Sequence, residues 1–281
     1  MIPSIPQSAR SRLLRTVYLA LFFLFLLLPL TVVVIYAFND APYPLPPWRG
    51  FTLDWFFAQG GRTGLLHDGE MLESLWQSTR IALWVTALSL LVGTSNAFLL
   101  ERCRFRGQRL LSVAMLLPLV IPGVILGISI LAFMSRLAQF ADDNWGLELE
   151  FLRPGLPLVV FGQFSYIVSI ATLTIAARLK RFDTALEEAA LNLGASRLAI
   201  FRTITFPYLR PALFGAGAIA FLLSFENFNT TYMLAGSDAS LTVLMYGRMK
   251  EGATPVLNAV SLMLMLVSAL LVGMLYRRKP D

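Results

Sequence analysis

The sequence predicts an all-α polytopic membrane protein with six transmembrane helices and both termini in the cytoplasm. Three observations carry that expectation. Six apolar stretches are each long enough to cross a hydrocarbon core of about 30 Å. Of 281 residues, 57% are hydrophobic and 14% are charged, whereas a soluble domain carries about 25% charged residues. The basic residues gather in alternate connecting segments, the arrangement that orients a membrane protein with its positive loops inside.

Residues 1–12 are short, basic and proline-containing, and read as a cytoplasmic tail. Leu13–Phe38 is the first span, with Pro29 placed to kink it. It reads as a membrane span and not as a cleavable signal peptide, being long enough to cross and lacking a clear small-residue cleavage site. Asn39–Glu73 is a proline-rich polar loop whose Trp48, Trp55 and Phe56 suit the membrane interface. Residues 13–73 thus form a first helix and its periplasmic loop, and residues 74–276 form the core. Within the core, Ser74–Leu100 is the second span. Leu110–Met134 is the third, interrupted by Pro118, Pro122 and Gly123. An acidic loop, Leu137–Pro154, leads to the fourth span, Leu156–Ala177. After a polar stretch, residues 178–211, come Ala212–Leu234, a polar segment Ala235–Thr254, and the last span Pro255–Tyr276. Residues 277–281 form a basic tail.

Arg10 and Arg12 precede the first span and Arg15 stands at its very start, and Arg102, Arg104, Arg106 and Arg109 follow the second. Arg178, Lys180, Arg181, Arg197, Arg202 and Arg210 lie in the polar stretch, and Arg277, Arg278 and Lys279 end the chain. All fall on one side of a six-span topology. The net charge of +6 is therefore a topology signal, with attraction to anionic membrane lipid second and no implication of nucleic acid. Cys103 stands alone, so no internal disulfide is available, and His67 is an ordinary polar-loop residue. Neither they nor any cluster supplies a metal site or a catalytic constellation, so an integral-membrane enzyme is not expected.

The stretch 178–211 is too polar to enter a bilayer. Thr184 and Glu187 have capping-box spacing, which would start a helix. Leu186, Ala189, Ala190 and Leu193 then share one face, and Gly194 is placed to end the helix. Ser196 can cap a second short helix that Pro207 would not continue.

This hairpin carries a long signature: Glu188-Ala189-Ala190, three residues, Gly194, nine residues, Ile204, one residue, Phe206-Pro207. It resembles the EAA loop of bacterial ABC importer permeases, departing only in Phe206, where the family has leucine. The resemblance implies a type I ABC importer permease fold in the bacterial inner membrane. It also implies that Glu187, Glu188, Ala189, Ala190, Gly194, Ile204 and Pro207 form a coupling element that docks into an ABC ATPase dimer. A second homologous permease subunit and a periplasmic substrate-binding protein complete such an assembly. The only lysines are Lys180, Lys250 and Lys279, and none follows a glycine, so no P-loop is present. No cofactor is expected in this chain; ATP and magnesium would be bound by the partner ATPase.

Further segments resemble permeases of spermidine/putrescine-type importers: Tyr36–Asn39, Gly50–Trp55, Arg104–Gly107, Pro122–Gly127 and Ser224–Phe228. Glu226-Asn227 stands where those permeases commonly have two carboxylates. Glu226 is the one acidic residue well inside an expected span, and such a group usually faces a cavity or a partner. No lysine or arginine occupies the middle of any span. A polyamine or related small organic cation is the expected substrate, with thiamine, ferric iron or phosphonate as alternatives within the family. A secondary transporter would need several intramembrane charges, and only Glu226 is offered. Asn227, Asn229, Thr230 and Tyr232 are expected along the same substrate pathway. Tyr166 and Gln163 on the fourth span join them, although polar residues there also bond between helices.

Overall fold

The computed structural model describes residues 9–237 and 239–277. In chain order the helices are α1 (Ala9–Ala37), α2 (Asp54–Phe57), α3 (Gly69–Arg102), α4 (Gln108–Val120), α5 (Gly123–Trp145) and α6 (Leu156–Leu179). They continue with α7 (Ala185–Asn192), α8 (Arg197–Ile200), a π-helical turn Phe201–Thr205, α9 (Phe206–Phe225), α10 (Asn229–Leu234), α11 (Leu241–Gly252) and α12 (Pro255–Arg277). Five helical stretches, Arg10–Ala37, Gly69–Arg102, Gly123–Trp145, Leu156–Leu179 and Arg197–Phe225, are long and apolar enough to cross a membrane. Gln108–Val120 and Pro255–Leu270 are shorter apolar helices.

The boundaries correct several expectations. The third span is two helices, because Ile121 before Pro122 is held extended (φ −78°, ψ 128°) and cannot continue α4. Pro118 does not break α4. α5 then runs to Trp145, through the start of the expected acidic loop, until Gly146 ends it at φ +61°. The fifth span breaks after Phe225, and α10 follows as a separate short helix. The segment read only as polar holds α11. α1 passes through Pro29 uninterrupted, and residues 1–8 and 278–281 lie outside the described part.

Two compact units emerge, residues Met1–Leu72 with Met245–Asp281, and Glu73–Leu244. In the first, α1 packs along α12, and the loop after α1 folds around buried Asn39. Asn39 Oδ1 accepts from the Arg49 amide at 2.8 Å, and its carbonyl accepts from Trp55 Nε1 at 2.8 Å. Arg62 lies over the Trp55 ring at 5.2 Å and pairs with Asp40. Asp68 caps α3 through the Met71 amide at 3.0 Å and also accepts from Arg248.

In the second unit α6 is central. Leu158, Val159 and Ile167 on α6 pack with Ile81 and Val85 of α3, Ala220 of α9 and Leu234 of α10. Glycine allows the closest approaches. A Cβ on Gly123 would stand 3.1 Å from Asn229 Cβ, and one on Gly127 would stand 3.1 Å from Met233 Cβ and 3.2 Å from the Thr230 carbonyl. One on Gly162 would stand 2.3 Å from Leu234 Cδ1. Two α5 glycines and one of α6 therefore seat α10, as small residues seat one transmembrane helix against another.

Candidate functional site

Two features of the second unit gather the residues singled out above. The first is a polar cavity where two helix breaks meet. The α4–α5 break at Ile121–Pro122 faces the α9–α10 break at Glu226–Phe228, and Thr230 Oγ1 joins them by donating to the Gly123 carbonyl at 3.3 Å. Asn227 organises the second break. Its Oδ1 accepts from the amides of Thr230 (3.2 Å) and Thr231 (3.1 Å) and from Thr231 Oγ1 (3.0 Å), so it caps α10. Its Nδ2 donates to Tyr166 Oη at 2.7 Å. Beside this network lies a cavity of about 320 Å³ lined in part by Tyr166, Asn227, Asn229, Thr230, Gly123 and Leu126. Broken helices are tolerated at membrane depth where they line such a cavity.

Gln163 does not reach this cavity. It is 1% exposed, donates to Thr231 Oγ1 at 2.8 Å and accepts from Ser224 Oγ. That is an interhelical bond tying α6 to α9 and α10, the structural role open to such a residue. Glu226 is not inside a helical span. It is the exposed residue that ends α9, and no ion pair to it occurs among the described residues. Tyr232 is 46% exposed, and its ring lies tilted against Phe228 at 5.2 Å between centroids.

The second feature is the hairpin of α7 and α8. Gly194 adopts φ +84°, a left-handed conformation that glycine takes at little cost. The Ser196 hydroxyl caps α8, accepting from the Ala199 amide at 3.2 Å. The capping box does not form. Thr184 is already helical and makes no side-chain cap, and Asp183 Oδ1 takes the Ala185 amide at 3.0 Å instead. The cause is competition for Glu187. Arg102 donates to its carboxylate at 3.0 and 3.3 Å and Thr205 Oγ1 at 2.6 Å, and a charge-assisted pair outweighs a bond to a backbone amide.

Pro207 does not stop the second helix either. The π-helical turn Phe201–Thr205 shifts the hydrogen-bond register, so Pro207 stands in the first turn of α9, where its missing N–H has no partner to lose. Helix therefore runs from Arg197 to Phe225. Ile204 lies within the wide turn. Glu188 and Ala189 are exposed and Ala190 is half-buried. Leu186, Leu191, Leu193 and Leu198 leave 53%, 47%, 89% and 58% of their surface uncovered, four exposed leucines on a polar hairpin.

Sequence reasoning missed Arg102, Thr205 and Gly162. Their partners lie 85, 18 and 72 residues away, and no local pattern reports such a distance. In the sequence Arg102 counts only among the loop residues that orient the chain.

Residues 89–278 match the family model described as the binding-protein-dependent transport system inner membrane component. The chain is 31% identical over 253 residues to the putrescine transport system permease protein PotI of Escherichia coli K12, covering 89% of this chain and 85% of the relative. It is 26% identical over 262 residues to the spermidine/putrescine transport system permease protein PotC of the same organism, covering 93% and 92%. A crystal structure of a bacterial ABC transporter involved in import of the acidic polysaccharide alginate superposes with TM-score 0.71 at 15% identity, over 99% of this chain and 100% of that one. That likeness shows the fold and carries no information on the charge of the cargo. With this match spanning the helix-break cavity and the glycine elbow, the chain belongs to the inner-membrane components of binding-protein-dependent transport systems, the permease subunits of ABC importers.

Proposed function

We propose that the chain carries a polyamine such as putrescine or spermidine inward across the membrane. A periplasmic binding protein presents the substrate, a second homologous permease completes the pathway, and a pair of ATPase subunits holding ATP and magnesium drives the cycle. The four exposed leucines Leu186, Leu191, Leu193 and Leu198 of the hairpin around Gly194 are the observation that carries the reading. A partner docked on this hairpin would cover these leucines, and a separate ATPase supplies one. Glu188, Ala189, Ala190 and Gly194 form the docking element. Ile204 and Pro207 connect it to α9. With the basic segments inside, this hairpin lies in the cytoplasm together with both termini.

The substrate class rests on the names of the two relatives, which match nine-tenths of this chain, and on Glu226. Its carboxylate sits at the broken end of α9 beside the Tyr166–Asn227 network, and no arginine or lysine occupies that region of the chain. The cavity residues Tyr166, Asn227 and Asn229 offer hydroxyl and amide groups to an ammonium ion, and Tyr232 an aromatic face. The deciding experiment purifies the tagged chain with its partners and measures ATP-dependent uptake of radiolabelled putrescine into proteoliposomes. Loss of the ATPase on purification overturns the coupling role, and a complex that hydrolyses ATP without moving putrescine overturns the substrate.

A further inference from the structure

The two adjacent carboxylates of α7 face different ways. Glu188 is exposed and has no ion pair among the described residues. Glu187 is three-quarters covered and fully engaged. We propose that Glu187 is a positioning residue: it does not touch the ATPase but ties α7 to the near ends of two transmembrane helices, α3 through Arg102 and α9 through Thr205. This rests on the reading of the hairpin as the ATPase dock.

The geometry supports a tie over a contact surface. Arg102 is the last residue of α3, and both its terminal nitrogens reach the carboxylate. Such a two-pronged pair fixes orientation as well as distance. Thr205 closes the π-helical turn, is 2% exposed, and gives Glu187 Oε1 its shortest bond at 2.6 Å. A cation from another subunit would have to displace Arg102 to reach these oxygens. The Arg102 guanidinium also lies 5.1 Å over Phe182, which meets Tyr208 of α9 edge-on at 5.0 Å. Arg178 at the end of α6 stacks on the same tyrosine at 4.0 Å. Displacement of α7 is thereby passed to α3, α6 and α9 through side chains in contact, and α9 ends at the Glu226 break.

The test follows ATP-driven movement at that break. In a Cys103→Ser background, Asn229→Cys reports on the cavity through its rate of maleimide labelling in the assembled complex, with and without ATP and vanadate. With the tie intact the nucleotide changes that rate by about tenfold, whereas Glu187→Gln or Arg102→Gln reduces the change to about twofold while the ATPase still co-purifies. The double variant is no worse than either single, because both remove one interaction. Glu188→Gln in contrast weakens ATPase retention and adds to Arg102→Gln. If Glu187→Gln fails to assemble, Thr205→Val keeps the ion pair, removes the bond to α9 and carries the same expectation. A full nucleotide response in Arg102→Gln and Thr205→Val, or effects of Arg102→Gln and Glu187→Gln that simply add, overturns the tie and leaves the dock standing. A parent complex whose labelling ignores nucleotide overturns the dock, and the tie with it.

Discussion

Arg248 on α11 and Asp68 at the start of α3 form a two-pronged ion pair across 180 residues of chain. Glu70 accepts from the same guanidinium at 2.7 Å. Both partners are partly buried, with 26% and 11% of their side chains exposed. The Arg248 hydrogen bond holds the Asp68 carboxyl below the usual carboxylate range. Asp68 also caps α3, so the two jobs can be separated. Asp68→Asn keeps a capping oxygen and loses the pair, at about 1–3 kcal/mol, and Asp68→Ala loses about 1 kcal/mol more. Thermal unfolding in detergent, followed by tryptophan fluorescence, orders the three proteins. A carboxyl depressed on folding stabilises above its unfolded pKa, so this contribution is full at neutral pH and is lost as pH falls through and below about 4.

Gly194 has open space where a side chain would stand, so substitution there strains the backbone without a clash. A valine at φ +84° costs roughly 1–2 kcal/mol, enough to lower occupancy of the docked elbow by about tenfold. The Gly194→Val chain is expected to insert normally and its assembled complex to hydrolyse ATP, while uptake per ATP falls by about that factor. Uptake equal to the parent in proteoliposomes would mean the elbow is not part of coupling.

Gly127 differs because its neighbours cannot rotate away. They are a Cβ and a backbone carbonyl of α10, at 3.1 and 3.2 Å from the added carbon. Gly127→Val should push α10 off α5 and cost about 1–3 kcal/mol. The control is Gly215→Ala in α9, where nothing lies within 4 Å and helix propensity favours alanine by up to about 1 kcal/mol. Size-exclusion profiles after a heating series compare the two.

Glu226 strands no ion-pair partner among the described residues when its charge is removed. Glu226→Gln is therefore expected to leave the melting temperature unchanged, within about 0.5 kcal/mol of stability, and to lower putrescine uptake several-fold. A fall in complex yield with normal uptake per complex would reassign Glu226 to a subunit contact.

Cys103 is exposed in the short link after α3. With that link in the cytoplasm, an impermeant maleimide should label it in inverted vesicles and not in intact cells. Labelling from outside would reverse the proposed orientation.

What could be read in advance was local. The Gly194 turn and the Ser196 cap each depend on a few consecutive residues, and the apolar runs located the spans. The breaks were harder. Hydropathy continues across Phe225–Phe228 without a dip long enough to mark a helix end, so the sequence alone puts Glu226 inside a span. The capping box failed because Arg102 competes for Glu187 from another helix. α11 is not legible in advance because Ala235–Thr254 reads only as polar. Gln163 was legible only as two options, and burial against Ser224 and Thr231 decided between them.

The wide turn at Phe201–Thr205 holds one residue more than a regular helix would need over the same rise. Each residue of an α-helix advances about 100° around its axis. The azimuth of everything beyond the turn, Glu226 included, is thus set by that surplus residue. Deleting it would leave α9 apolar and membrane-long yet turn its far end by more than a quarter circle. Chain length within this one turn, as much as residue identity, determines which way the carboxylate points.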